Sequence, residues 1–243
     1  MGRTNIVIFL EALMEIKAIS AFSDNYIWTI IKNNKLIFVD TGQAQPVLDF
    51  IKDKEPIAIL LTHKHDDHVG GVFEIKKKYP DIKVYGPVET RDLNDITLKD
   101  NDNFQLLGEN FKVIETSGHT DYHISYLMGD NLFCGDALFL AGCGRVFTGD
   151  YKKSYESMKK FANLDDNINV YAGHEYGLSN LKFVKSIMNT EQVIRSYEEV
   201  LKKNKRGQIT LPSTIGQEKK INPFMMAKSL EEFIKLRKEK DNF

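Results

Sequence analysis

The stretch Thr62-His63-Lys64-His65-Asp66-Asp67-His68 constrains this chain more than any other. Ahead of it, Ile57-Ala58-Ile59-Leu60-Leu61 is a short apolar run with the pattern of a buried strand. Behind it, Gly70-Gly71 opens a helical pattern that continues to Tyr79. Three histidines and an aspartate are therefore expected on a turn leaving a strand end. Imidazole nitrogen and carboxylate oxygen are the ligands that a borderline divalent metal prefers. The order H-x-H-x-D-H allows two ligand sets, with His63 and His65 pointing at one metal and Asp67 and His68 at a second. A lone histidine pair is usually structural or solvated. Four ligand-type residues within six positions reverse that expectation.

The other histidines reinforce it. The chain has six, and three lie in this stretch. Two more open the motifs Gly118-His119-Thr120 and Gly173-His174-Glu175, with Gly135-Asp136 between them. Each of these motifs follows a β-type apolar run, so each delivers its side chain from a strand end. His123, at the start of a strand, reads as a core or supporting histidine rather than a ligand. Asp66 reads as solvated.

The pattern around this centre is α/β. Strands are expected at 15–20, 26–31, 35–39, 57–61, 82–85, 111–115, 124–128, 131–134 and 168–171. Asn33-Asn34 signals a hairpin. Helices are expected from Pro46 to about Lys52, at 72–79 and at 154–163, and the span 87–110 reads as short strands and loop. Beyond His174 the period changes: helices are expected at 178–188, 191–203 and 229–239. Ser229 is placed to cap the last, with Glu232 three residues on. Residues 206–225 read as irregular, with no further strand. Cys134 and Cys143 are too few for a disulfide framework, and Cys143 reads as a small buried residue shaping a Gly-Cys-Gly turn.

The net charge of −1 is uneven: eleven Lys/Arg face five Asp/Glu from 201 to 243, leaving −7 on the first 200 residues. A basic tail on an acidic body suits a small anionic substrate and argues against a nucleic-acid groove. No apolar run approaches the roughly 20 residues of a membrane span. No signal peptide is read at the N-terminus, so the expected location is cytoplasmic.

H-x-H-x-D-H followed by a distant His, an Asp and a final His resembles the metallo-β-lactamase superfamily. The segments Phe22 to Trp28, Phe133 to Phe139, Ala141-Gly142-Cys143-Gly144-Arg145-Val146-Phe147, Asn222-Pro223-Phe224 and Arg237-Lys238-Glu239-Lys240-Asp241 bring the resemblance closer to glyoxalase II, the hydroxyacylglutathione hydrolases. It covers about Met14 to the end. The resemblance implies a metallo-β-lactamase αββα sandwich of two mixed sheets with a small C-terminal helical domain. The implied division is a catalytic domain at 14–173, a helical substrate-binding domain at 174–243, and a possible N-terminal extension at 1–13.

It also implies a site. His63, His65 and His119 would hold one metal and Asp67, His68 and His174 a second, with Asp136 bridging. Zinc is expected, although iron and manganese can use the same set. A water activated between the two would attack a thioester carbonyl, with Asp67 and Asp136 as the catalytic carboxylates. Arg145, Phe147, Tyr176, Arg237 and Lys240 would line the glutathione site. Phe147 stands where some relatives have tyrosine. The stretch from Phe224 to Arg237 is short compared with many relatives, which points to a trimmed helical domain. The implied reaction is hydrolysis of S-(2-hydroxyacyl)glutathione, such as S-D-lactoylglutathione, by a monomer without nucleic-acid or membrane partners. The alternatives are an iron-dependent glutathione persulfide dioxygenase and a non-catalytic metal- or glutathione-binding protein.

Overall fold

A computed structural model describes residues 14–243, and the expected extension at 1–13 lies outside the described residues. The first half runs β1 (Glu15–Ala21), β2 (Asn25–Lys32), β3 (Lys35–Val39), α1 (Ala44–Ile51), β4 (Glu55–Leu60), α2 (Asp66–Val69), α3 (Val72–Lys78), β5 (Lys83–Gly86), β6 (Ile96–Thr97), β7 (Asn103–Leu106) and β8 (Glu109–Glu115). The chain continues through β9 (Ile124–Met128), β10 (Asn131–Gly135), β11 (Leu138–Phe139), β12 (Gly142–Cys143), α4 (Tyr151–Ala162) and β13 (Asn169–Ala172). It closes with α5 (Gly177–Ile187), α6 (Glu191–Lys205), β14 (Ser213–Thr214), α7 (Ile215–Ile221), α8 (Pro223–Met226) and α9 (Leu230–Asp241).

Two mixed sheets result, in the orders β1-β2-β3-β4-β5-β6 and β14-β13-β10-β9-β8-β7. In the first, β3, β4, β5 and β6 pair in parallel. In the second, β10 and β13 do. The parallel strands are apolar on both faces, as a sheet covered on both sides requires. Ile37, Val39, Ala58 and Leu60 turn into the sandwich against Phe111, Tyr126 and Leu132. Their neighbours Leu36, Phe38, Ile59 and Leu61 turn outward to Val47 and Ile51 of α1 and Ile75 of α3. This double burial fixes β4 rigidly, and β4 ends at the metal-type loop.

The hairpin at Asn33-Asn34 is present, with φ of 50° and 64°. A second tight turn at Leu107-Gly108, φ 55° and 78°, starts β8 two residues before the expected Phe111. The expectation that no strand and no regular structure occupy 206–225 is corrected. β14 pairs antiparallel with β13 and extends the second sheet. Thr214 and Asn222 cap α7 and α8 by accepting hydrogen bonds from the backbone N–H groups of Gln217 and Phe224. At α9, Ser229 caps as expected, but Glu232 accepts from the N–H of Lys228 rather than of Ser229.

Candidate metal centre

The ligand-type side chains gather from four strand ends. His63 and His65 lie in the loop after β4, and Asp67 and His68 in α2. His119 lies in the turn between β8 and β9, Asp136 directly after β10, and His174 just beyond β13. His65 Nδ1 is 3.1 Å from His63 Nε2 and 3.0 Å from His119 Nε2. In a second group, His174 Nε2 is 3.4 Å from His68 Nε2 and 3.3 Å from Asp67 Oδ2. The Asp136 carboxylate touches both groups. Its Oδ2 is 3.5 Å from His119 Nε2 and 3.3 Å from His174 Nε2, and its Oδ1 is 3.3 Å from His68 Nε2.

These spacings suit metal coordination. Bonds of about 2.0–2.1 Å in a tetrahedral set separate neighbouring donor atoms by about 3.3 Å. The donor chemistry agrees. Asp136 Oδ1 is buried without a hydrogen-bond partner. Burial holds His63 and His119 below the usual imidazole range, as neutral ligands must be. Burial also opposes charge on His68 and His174, but it is outweighed. Asp136 and Asp40 hold His68 well above its ordinary value, and Asp136 and Asp67 lift His174 to about 10. Those protons offset the carboxylates of Asp67 and Asp136, and divalent cations would take their place.

An outer layer aims the rings. His68 Nδ1–H donates to Asp40 Oδ2 at 3.0 Å, and His174 Nδ1–H to Asp24 Oδ1 at 2.8 Å. His63 Nδ1–H donates to Thr62 Oγ1, whose own hydroxyl donates to Asp40 Oδ2 at 2.7 Å. His119 Nδ1–H donates to the Arg145 carbonyl at 2.8 Å. Such partners fix which nitrogen faces inward. Asp67 Oδ2 accepts from Asn25 Nδ2 at 2.9 Å. His123 stacks on His63 with ring centroids 4.9 Å apart and accepts from the Asp136 N–H, so it is a supporting histidine. Asp66 is exposed.

The two groups open into a cavity of about 650 Å³ that Arg145, Phe147, Tyr176, Arg237 and Lys240 also line. Phe147 is 63% exposed and sets its edge against His65 and His119. Tyr176 stacks on His174 at 4.6 Å. Arg237 is only 5% exposed: its Nη1 donates to the Cys143 carbonyl at 2.8 Å and its Nη2 to Asp241 Oδ1 at 3.0 Å. Asp241 also accepts from Arg145 Nε at 3.2 Å. Arg237 is thus partly committed to holding the wall, whereas Lys240 has no carboxylate partner among the described residues and meets Ser179 Oγ at 3.4 Å and the rings of Phe183 and Phe243. Burial and the nearby Arg237 lower the Lys240 pKa. Burial raises that of Cys143, as befits a packing residue rather than a nucleophile.

Residues 23–174 match the metallo-beta-lactamase superfamily, and residues 175–243 match the hydroxyacylglutathione hydrolase C-terminus. A hydroxyacylglutathione hydrolase of Glaesserella parasuis is 47% identical over 237 residues, covering 95% of this chain and 100% of the relative. The chain belongs to the hydroxyacylglutathione hydrolases. A second member, from Actinobacillus pleuropneumoniae, is 44% identical with the same coverage. Among solved structures, ETHE1 from Myxococcus xanthus superposes with a TM-score of 0.71 at 25% identity, over 93% of this chain and 90% of that one. The BLEG-1 B3 metallo-beta-lactamase reaches 0.68 at 22%, over 88% and 100%, and shares the fold.

Of the residues expected from sequence, His65, Asp67, His119, Asp136 and His174 line the cavity with Arg145, Phe147, Tyr176, Arg237 and Lys240, while His63 and His68 are buried behind it, His63 Nε2 3.1 Å from His65 Nδ1 and His68 Nε2 3.3 Å from Asp136 Oδ1. Sequence reasoning missed Asp24, Asp40, Thr62, Asn25 and Asp241. The one signal that could have found Asp24 and Asp40 is their place beside a strand, directly before β2 and directly after β3. No helix among the described residues is long and apolar enough to cross a membrane.

Proposed function

We propose that the chain hydrolyses S-(2-hydroxyacyl)glutathione thioesters, such as S-D-lactoylglutathione, to the 2-hydroxy acid and glutathione, the second step of methylglyoxal detoxification. One observation carries this reading: the cavity lined by five of the donor residues, His65, Asp67, His119, Asp136 and His174, is lined also by Arg145, Tyr176, Arg237 and Lys240. The match of residues 175–243 to the C-terminus of the hydrolases supports it, because Tyr176, Arg237 and Lys240 all come from that part. In this reading residues 14–173 are the catalytic unit and 174–243 the substrate-binding unit.

His63, His65 and His119 would hold one metal and Asp67, His68 and His174 another, with Asp136 shared; we take both to be zinc. Bound there, the pair would supply a nucleophilic water at neutral pH and offset negative charge on the acyl oxygen. The chain's own residues do the rest. Lys240 and Arg145 attract the glutathione carboxylates with charge-assisted hydrogen bonds. Phe147 and Tyr176 wall the path to the metal side with apolar ring faces. Asp67, held by Asn25 and open to the cavity, can pass a proton on toward the departing sulfur. A thiolate with a pKa of roughly 8.5 needs little of that help, which suits a site without a dedicated acid. We take the chain to work as a monomer in the cytoplasm, a reducing compartment in which the buried thiols of Cys134 and Cys143 stay free.

A comparison of leaving groups tests the substrate. The D-lactoyl thioester of glutathione should be turned over with far higher kcat/KM than that of N-acetylcysteamine, which lacks both carboxylates. Equal values would refute the glutathione site.

A further inference from the structure

The Phe139–Arg145 segment connects the C-terminal helices to the metal side, and it is held by more polar side chains than a cavity wall needs. Asn180 of α5 donates to the Leu140 carbonyl at 3.1 Å. Glu218 of α7 accepts from the Ala141 N–H at 2.8 Å. Asn222, between α7 and α8, donates through Nδ2 to the Gly142 carbonyl at 2.9 Å and to Glu218 Oε2 at 3.0 Å. Arg237 of α9 donates to the Cys143 carbonyl. Four consecutive residues, Leu140 to Cys143, are thus each pinned by a buried side chain from beyond residue 174.

The other end of the segment presses on the ligands. A Cβ on Gly144 would lie 2.1 Å from the Asp136 carbonyl oxygen and 2.8 Å from His119 Nδ1. A Cβ on Gly142 would lie 2.5 Å from Asn180 Nδ2. Each glycine of the Gly-Cys-Gly turn is therefore required by close approach, one toward the clamp and one toward the cluster. Ala141 adopts φ 56°, a left-handed conformation that its own sequence does not favour. Around that twist the clamp holds the N–H of Ala141 itself and the carbonyls of its neighbours Leu140 and Gly142. One residue past Gly144, the Arg145 carbonyl accepts the His119 proton that fixes the ring's orientation.

We propose that Glu218 and Asn222 are positioning residues that act through this strut to hold His119 in its ligand orientation. The helical part of the chain then completes the metal centre as well as the substrate cavity. The proposal rests on the two-metal reading above. What Glu218 supplies is an acceptor for Ala141 and Asn222, and what Asn222 supplies is a donor to Gly142 and Glu218. Glu218→Gln keeps an oxygen acceptor in that place, whereas Asn222→Ala removes the donor.

The test reads the metal rather than turnover. Cobalt(II) is loaded into wild type, N222A and E218Q, its affinity is measured by competition with a chelator, and its visible ligand-field spectrum is recorded. Loss of outer support for a metal ligand typically costs about tenfold to a hundredfold in affinity, so N222A should bind cobalt about tenfold more weakly with an altered spectrum, while E218Q stays within about twofold of wild type. If N222A does not fold, N180A, which frees only the Leu140 carbonyl, carries the same expectation. A folded N222A with the wild-type affinity and spectrum overturns the proposal, even if its melting temperature falls, and where N222A does not fold, a folded N180A with both at wild-type values does so. So does an E218Q protein as impaired as N222A. Failure of wild type itself to bind two cobalt ions would instead refute the two-metal reading.

Discussion

Glu218→Gln has a second consequence, which can be worked from the burial of the carboxyl. Glu218 is fully buried, and burial raises its pKa from 4.5 to about 7 against the opposing pull of the nearby Ser213 hydroxyl and the hydrogen bonds from Asn222 and the Ala141 N–H. No charged neighbour contributes. Between those two values the folded protein retains a proton that the unfolded chain has released. The stability this group contributes is therefore complete below pH 4.5 and is lost as pH rises through about 7. At 1.36 kcal/mol per pKa unit the whole span is about 3 kcal/mol, and about 1.3 kcal/mol of it falls between pH 6 and pH 8. A glutamine has no proton to lose. Urea unfolding of metal-loaded wild type and E218Q, run in parallel from pH 6 to pH 8, should show E218Q gaining about 1.3 kcal/mol on wild type across that interval. Taking the difference cancels the titration of the metal ligands. Two stability curves that stay parallel would show that Glu218 does not change protonation in this range, and the reasoning from its burial would fail.

Asp136→Ala should release metal and abolish turnover together, because that carboxylate touches both donor groups; elemental analysis showing two metals still bound would sink its shared role. Asp40→Asn weakens the acceptor that serves both His68 and the Thr62 hydroxyl, and should lower metal affinity about tenfold or more in a chelator competition. Lys240→Ala removes one charge-assisted contact worth about 1.5–3 kcal/mol, so KM for the glutathione thioester should rise about tenfold or more with metal content unchanged. Arg237→Ala should raise KM as well, but it also strands the Cys143 carbonyl, so its melting temperature should fall where that of Lys240→Ala does not.

Much of this was legible in the sequence because the chain spends its histidines sparingly. Five of six end in the donor cluster, and each sits where a strand pattern stops. The doubly buried strands were legible for a similar reason, since β3 and β4 are continuous apolar runs. The outer layer was not. Asp24 and Asp40 are two of many carboxylates, and nothing local marks either as the partner of a histidine 150 or 28 residues away. The helices α7 and α8 also escaped notice. They are short and broken by Gly216 and Pro223, so no helical period builds up. Caps at Thr214 and Asn222 and burial of Ile215, Ile221 and Phe224 stabilise them instead. Arg237 carries the same lesson. A basic residue on a terminal helix reads as solvated or substrate-facing, and only the packed structure reveals that half its guanidinium is spent on the Cys143 carbonyl.

The central claim is metal-dependent hydrolysis of a glutathione thioester. Its most direct test follows the loss of thioester absorbance of S-D-lactoylglutathione, using protein shown to hold two metals beside a chelator-treated control. Rapid turnover is expected from the first, none from the second, and recovery when metal is restored. Two bound metals with no turnover would leave the donor cluster standing and contradict the assignment of substrate, and oxygen consumption with glutathione persulfide would then favour a dioxygenase.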